Sequence, residues 1–479
     1  MRTFSLALVC LGAAAQAQTP ATNSPQKVED LPQAPTPNPA VLAGGVTVER
    51  ATPGSLPLSL DDAIGRGLQY NLQIKLDQEN QRRVHGLVLE VENNLLPSMT
   101  VEASTSAEQI DLAALGFKPG AVKVPGFNPN FPTIVKVDVT SAQVNLQQQL
   151  FNVPAYYLYR AAQKSDNVAS LTTLNQRGTV ALSVGTQYLR ALADASQIDN
   201  ARALLQADQV AFEQARASHQ AGVGTNLDEL RARVQLQTQQ QALINAENTY
   251  AKDKIALNRL LGQPADQELT LTDTAPFAEF EMMPIEQAKA MAYEHRKDYL
   301  SLEAQKDVAD RTLKAVRAER YPSIEFKGDY GVLGETTGLY HGVFSAMGKL
   351  SFPIFQEGQL RGEREVAQAQ VTGLRQQIES LRVSIEQQIR AAMLDVQSSK
   401  DLVNVARSNV GLATQELQDA TDRFQAGVSD NLPVVQAQAT LADAQSRLIE
   451  ALYQYNQSKL QLARNTGVVE TQYKVYLGR

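Results

Sequence analysis

The chain's 479 residues carry 44 Lys+Arg against 51 Asp+Glu, a net charge of −7, so no cationic excess recommends a nucleic-acid partner. One cysteine and four histidines leave almost nothing for a disulfide framework, thiol redox chemistry or a Cys-based metal site, and we expect neither metal nor cofactor. With 43% apolar residues and a mean hydropathy of −0.27 there is material for a large buried surface, but not for a polytopic helical membrane protein.

In chain order, Arg2, an apolar run from Phe4 to Ala15 and the small-x-small pattern Ala15-Gln16-Ala17 predict a secretory signal peptide over residues 1–17. Cys10 lies inside that run, and Val9 stands before it where a lipoprotein signal wants a small residue. Beyond the signal no stretch reaches ~18 uncharged apolar residues, so any membrane passage falls to strands. Residues 18–57, with Pro20, Pro25, Pro32, Pro35, Pro37, Pro39, Pro53 and Pro57 and few large apolar side chains, read as a flexible tail.

The remainder is duplicated. Gln220-Ala221-Gly222-Val223 recurs as Gln425-Ala426-Gly427-Val428, an offset of 427 − 222 = 205. That offset also pairs Asn226 with Asn431, Leu236 with Leu441, Tyr250 with Tyr455, Arg259 with Arg464 and Gly262 with Gly467. Upstream, Leu96-Pro97-Ser98 matches Tyr321-Pro322-Ser323 at an offset of 225, which places about twenty extra residues in the loop from Glu108 to Thr133. We therefore expect a first repeat over 58–262, a linker over 263–283, a second repeat over 284–467 and a C-terminal tail over 468–479. Each repeat should run short helix, strand, strand, very long helix, sharp turn, short helix.

The long helix of the second repeat is legible in Val396, Ser399, Val403, Ala406, Val410, Ala413, Leu417, Ala420 and Phe424, spaced alternately by three and four. Its return helix repeats that ladder from Val434 and Ala437 to Tyr455 and Leu462, with large and small residues alternating so that the axes can approach closely. In the first repeat Leu171, Leu174, Gly178, Ala181, Gly185, Tyr188, Leu192 and Ala195 form the same seam. A helix from Pro154 to Gly222 would span on the order of 100 Å, and segments such as Leu60–Leu95 and Leu227–Leu261 about half that.

The strands alternate. Ile324, Phe326 and Tyr330 fall on one face of their strand and Glu325, Lys327 and Asp329 on the other; Phe344, Leu350 and Phe352 oppose Ser345, Lys349 and Ser351. In the first repeat Met99, Val101 and Ala103, and Val135, Val137 and Val139, supply the apolar sets. Four strands of roughly ten residues fit a membrane barrel with a wet lumen, the first-named residues toward lipid and Glu325, Lys327 and Asp329 toward the lumen. Four strands cannot close, and an open edge in lipid leaves backbone groups unpaired, so other copies of the chain must complete the barrel.

This plan, with its duplicated strand pairs, Gln-Ala-Gly-Val turns, Leu150-Phe151 and Ile354-Phe355 strand ends and closing Tyr/Leu/Arg/Gly pattern, resembles the TolC family of outer-membrane efflux proteins. The resemblance implies a homotrimer: a mainly α chain whose long antiparallel helical hairpins form an α-barrel across the periplasm, with a small β part giving four strands to a twelve-stranded transmembrane barrel. It implies a passive exit duct for an efflux pump or type I secretion system, working with a periplasmic adaptor and an inner-membrane transporter. It places adaptor docking at Gly222, Val223, Gly224 and Thr225 and at Gly427, Val428, Ser429 and Asp430. Where the founding member has two pore-ringing aspartates this chain has Pro433 and Gln436, a departure that puts an aspartate ring there in doubt; Asp228 and Glu229 are the nearby acidic candidates for a periplasmic gate. Acids at a helix start also serve its dipole, which is the plainer reading of both.

No enzyme is expected. His85, His219, His295 and His341 lack ligand spacing and read as packing or surface histidines, and Gly222-Val223-Gly224 lacks the third glycine and preceding strand of a dinucleotide loop. The alternative to a duct is a secreted coiled-coil tether whose strands pair into a small soluble sheet.

Overall fold

A computed structural model describes residues 44–46, 54–114, 133–273 and 278–478. The expected signal peptide, most of the Pro-rich tail and the middle of the first-repeat loop lie outside the described residues. What is described belongs to one compact unit that starts at Gly44.

The first repeat holds α1 (Leu60–Tyr70), α2 (Leu72–Asn93), β2 (Ser98–Asp111), β3 (Ile134–Phe151), α3 (Val153–Gln220) and α4 (Asn226–Leu261), preceded by the short β1 (Leu56–Leu58). After β4 (Leu269–Leu271) the second repeats this order: α5 (Ile285–His295), α6 (Lys297–Ala318), β5 (Ser323–Glu335), β6 (Tyr340–Ser351), α7 (Glu357–Gln425) and α8 (Leu432–Asn465), followed by α9 (Val469–Leu477). The expected single helix from Leu60 to Leu95 is broken at Asn71, whose Oδ1 accepts from the Gln73 and Ile74 N–H groups at 2.9 and 3.3 Å and restarts the helix as its N-cap. The second repeat breaks at Arg296, and 296 − 71 = 225, the offset of the Pro-Ser pairs.

The long helices have 68 and 69 residues. α3 starts where Asn152 Oδ1 accepts from Ala155 N at 3.0 Å, with Pro154 in the first turn, where its missing N–H costs nothing. Near the strands the helices neighbour one another in the order α2, α3, α6, α7, and toward the turns in the order α4, α3, α8, α7. The α7–α8 seam is the one the spacing predicts: Val396, Val403, Ala406, Ala413 and Ala420 are buried against Val434, Ala437, Leu441, Ala451 and Tyr455. On α3, Gly178, Ala181, Gly185, Tyr188 and Leu192 are buried as expected. At Gly185 a Cβ would stand 3.1 Å from Leu460 Cδ1, so the missing side chain sets how closely α8 approaches.

The antiparallel sheet runs β2-β3-β5-β6, leaving β2 and β6 as edges. Its strands have 14, 18, 13 and 12 residues, longer than expected. Met99↔Leu146, Val101↔Val144, Val144↔Tyr330 and Tyr330↔Phe344 align across all four strands, and Ile324↔Leu350 joins the same face. Gln143, Asn145, Gln147, Glu325, Lys327, Asp329 and Lys349 share the other. Phe352 lies one residue beyond β6. Val135, Val137 and Val139 are a correction: unbroken period-two pairing puts them on the face of Gln143 and Asn145, while Lys136, Asp138 and Thr140 follow Val144. The apolar band on that face ends at a hydroxyl rung, Thr105–Thr140–Thr336, with contacts of 3.0 and 3.1 Å, and past it apolar residues are no longer confined to one face.

Three boundaries also move. Pro57 and Leu56, expected in the tail, pair in parallel with β4, which lies in the expected linker. The expected C-terminal tail holds α9, where Tyr473, Tyr476 and Leu477 are buried, Arg177 pairs with Glu470 at 2.5 Å and Phe280 stacks on Tyr476 at 4.8 Å. Burying two tyrosines and a leucine stabilises this segment by about 5 kcal/mol before ordering costs, enough to hold a short helix.

Candidate functional site

Each long helix ends in a glycine reversal. Gly222 has φ 77° and Gly427 φ 72°, the left-handed region where a Cβ is strained. Val223 N donates to Ser218 O and Gly222 N to His219 O, both at 3.0 Å; Val428 N to Arg423 O and Gly427 N to Phe424 O repeat this at 3.0 Å. Both are Schellman motifs. They leave Val223 and Val428 among the most exposed apolar residues, at 83% and 70%. Thr225 then caps α4 in a capping box: its Oγ1 accepts from Asp228 N at 3.2 Å and donates to Asp228 Oδ2 at 2.6 Å. Asn431, by contrast, caps α8 with no side-chain bond, and the buried Ser429 Oγ beside it has no partner among the described residues.

Of the gate candidates, Asp228 is held by this cap and Glu229 Oε2 lies 2.6 Å from His219 Nδ1, so both acids serve helix ends. Pro433 and Gln436 line a shallow groove with Glu416, Asp419 and Arg423. The structure brings Asp228 and Asp430 together through a residue that sequence reasoning missed. Arg231 Nη1 is 3.4 Å from Asp430 Oδ2 and 3.8 Å from Asp228 Oδ1, tying the first hairpin to the second. Its only sequence signal was an i,i+3 relation to Asp228, common on any helix start. His219, read as a packing or surface histidine, bridges α3 to α4.

Midway along the bundle a polar cluster joins three helices. Arg190 of α3 lies 3.5 Å from Asp194, 3.9 Å from Asp253 of α4 and 3.1 Å from Glu450 of α8, and stacks over Tyr453 at 5.2 Å. Among the described residues Asp194 Oδ2 is buried without a hydrogen-bond partner within bonding geometry, beside the Asp253 carboxylate. Burial, and then the neighbouring Asp253 carboxylate, push Asp194 up from 3.8 to about 7. Between those values the folded chain keeps a proton that the unfolded chain has released, so stability falls as pH rises through that window. Asp194→Asn should flatten this slope and raise the melting temperature above pH 7; a thermal-unfolding series over pH 4–8 that left the slope unchanged would refute the assignment.

Duplicated hairpins below a sheet with one apolar and one polar face define a channel-wall protein. The family model described as outer membrane efflux protein matches residues 68–263 and 290–468, so the chain belongs to that family and is an efflux protein of the outer membrane. It is 23% identical over 430 residues to the outer membrane protein TolC of Vibrio cholerae, covering 87% of this chain and 96% of that one. It is 24% identical over 354 residues to the alkaline protease secretion protein AprF of Pseudomonas aeruginosa, covering 68% and 69%. Among solved structures, the outer membrane protein VceC of Vibrio cholerae superposes with a TM-score of 0.70 at 18% identity, over 85% of this chain and 96% of that one. The tether reading is thereby set aside.

Proposed function

We propose that three copies of this chain close into a passive duct that carries cargo from the periplasm through the outer membrane. The observation behind this reading is that every layer of the chain is open on the same two sides. β2, α2 and α4 form one side, and β6 and α7 the other. Two different open sides make a head-to-tail interface, which rotation closes into a ring. The unpartnered edges are apolar where a neighbour would sit: Val234, Ile244 and Ile255 on α4 and Leu394, Val405 and Leu412 on α7 are each more than half exposed. Two copies would give eight strands and a filled interior; three give twelve and room for a channel.

In this reading Ile324, Phe326, Tyr330, Phe344 and Leu350 face lipid, and Glu325, Lys327 and Asp329 face the lumen. Phe352 meets the membrane surface. The turns at Gly222–Thr225 and Gly427–Asp430 dock a periplasmic adaptor, which couples the duct to an inner-membrane transporter, as a tripartite pump or type I secretion system requires. Arg231, Asp228 and Asp430 hold the two tips of a subunit at the periplasmic entrance, with Glu229, Pro433 and Gln436 beside them. The protein purified in mild detergent should have the mass of three chains by light scattering and conduct ions in planar bilayers. A monomer, or a trimer without conductance, would overturn the duct.

A further inference from the structure

Four arginines gather just below the strands of the second repeat. Arg317 and Arg320, at the end of α6, and Arg364, on the first turns of α7, line a groove of about 900 Å³ whose floor includes Val316 and Leu360. Glu357 accepts from Arg320 at 2.8 Å on both oxygens and lies 3.8 Å from Arg361, the fourth arginine. Among the described residues Arg317 reaches only the Gln368 amide oxygen, at 3.1 Å. Among the described residues neither Arg317 nor Arg364 forms an ion pair, although Glu365 also lines the groove. Nearby, burial and then Glu363 push Glu319 up to about 7, so this acid pair does not carry two full charges at neutral pH.

The groove is not a demand of the fold. At the 225 offset Arg317 and Arg320 correspond to Glu92 and Leu95, so the first repeat builds the same junction without it. It adjoins a strongly apolar collar: Ile354 and Phe355, between β6 and α7, are 89% and 92% exposed, and Tyr321 and Phe352 are more than half exposed. Aromatic and apolar side chains at strand ends followed by cations mark a membrane–water boundary. The groove's face of α7 is also the one that carries an added layer. Glu386, 22 residues or about six turns beyond Arg364, lies 3.9 Å from Lys289 of α5. A second groove is lined by α2, α3, α6 and α7, through Asn80, Ser165, Gln305 and Gln370. In a closed ring an added layer can sit only outside, so the arginines face outward, at the level of the periplasmic leaflet's headgroups.

We propose that this groove binds the phosphate of an anionic phospholipid headgroup in the periplasmic leaflet, through Arg317 and Arg364, with Arg320, held by Glu357, beside them and the acyl chains against the apolar collar. Arginine is suited to this role because its planar fork meets phosphate oxygens in pairs. The assignment rests on the ring reading above, which sets the outer face.

The test is native mass spectrometry of the delipidated full-length trimer, titrated with phosphatidylglycerol or phosphatidylethanolamine. Phosphatidylglycerol should bind to one site per subunit and outcompete phosphatidylethanolamine. Arg317→Gln with Arg364→Gln should weaken it by about tenfold per arginine, whereas Arg317→Lys with Arg364→Lys, which keep the charge and lose the fork, should fall between the glutamine pair and the natural chain. If the glutamine pair does not assemble, Arg364→Gln alone against the lysine pair gives the same comparison. Equal binding of both lipids, or unchanged phosphatidylglycerol affinity in the glutamine variant, would overturn the proposal. Displacement of the lipid by equimolar inorganic phosphate would reassign the groove to free anions and overturn it too. Monomers in the spectrum would instead overturn the ring and, with it, the outward placement of the groove; trimers without lipid would overturn the lipid site alone.

Discussion

A chain carrying Gly222→Val with Gly427→Val should assemble and reach the outer membrane yet lose export almost completely. Both glycines hold φ above +70°, where a β-branched residue costs about 1–2 kcal/mol and each helix end must find another way to satisfy its carbonyls. Among the described residues, nothing beyond the chain neighbours and the helix's own backbone lies within 4 Å of the Cβ that either position would acquire, so the substitution acts on backbone conformation and not by collision. The clusters around Val396, Val403, Ala451 and Tyr455 in the second hairpin and from Gly178 to Leu192 in the first lie many turns away and hold the fold. What changes is the presentation of Val223 and Val428, the exposed residues that follow the reversals. Gly65→Ala, inside α1 with open space at its Cβ, is the matched control and should be neutral or slightly stabilising. Export is read as extrusion of a fluorescent dye by cells lacking other exit ducts, and assembly as the trimer band on a native gel. Undiminished dye efflux from a double variant present as trimer would remove the turns from docking.

The hairpins were legible because their chemistry is periodic: a seam alternating large and small residues at three-four spacing has one physical reading, and Val396 to Phe424 lies on it. The turns were legible because a left-handed cap selects glycine, and the repeat displayed that selection twice. Other features carry no such mark. Asn71 and Arg296 break helices without proline or glycine; Asn71 does so by side-chain capping, which a mid-helix asparagine does not announce. α9 lies outside the duplicated frame, so repetition could not find it, and its helix is stabilised by long-range partners such as Asp61 and Arg177. Val135, Val137 and Val139 alternate as a lipid-facing set would, but which face a strand turns to lipid depends on register with its neighbours, and that is tertiary information. The tip's ion pairing was hidden for the same reason, since Arg231 and Asp430 are 199 residues apart.

Phe344→Arg should abolish stable insertion, whereas Ser345→Arg one residue away should leave it intact and change the current. The two side chains leave β6 on opposite faces: Phe344 is paired with Tyr330 and 79% exposed, and Ser345 donates to Asp329 Oδ1 at 2.6 Å. If the Phe344 face meets hydrocarbon, an arginine there costs about 2–4 kcal/mol near mid-depth, and ring symmetry applies that cost three times. On the Ser345 face the new guanidinium lies beside Asp329 and in water, so folding into lipid vesicles should proceed at a similar urea midpoint. Three added cations in the lumen should then lower cation selectivity, an effect that high salt weakens. Urea-dependent insertion into phosphatidylcholine vesicles measures the first effect and single-channel reversal potentials the second. The reverse outcome, insertion lost with Ser345→Arg and kept with Phe344→Arg, would turn the sheet inside out and place Glu325, Lys327 and Asp329 against lipid, where burying charge is costly even for the Lys327–Glu325 pair.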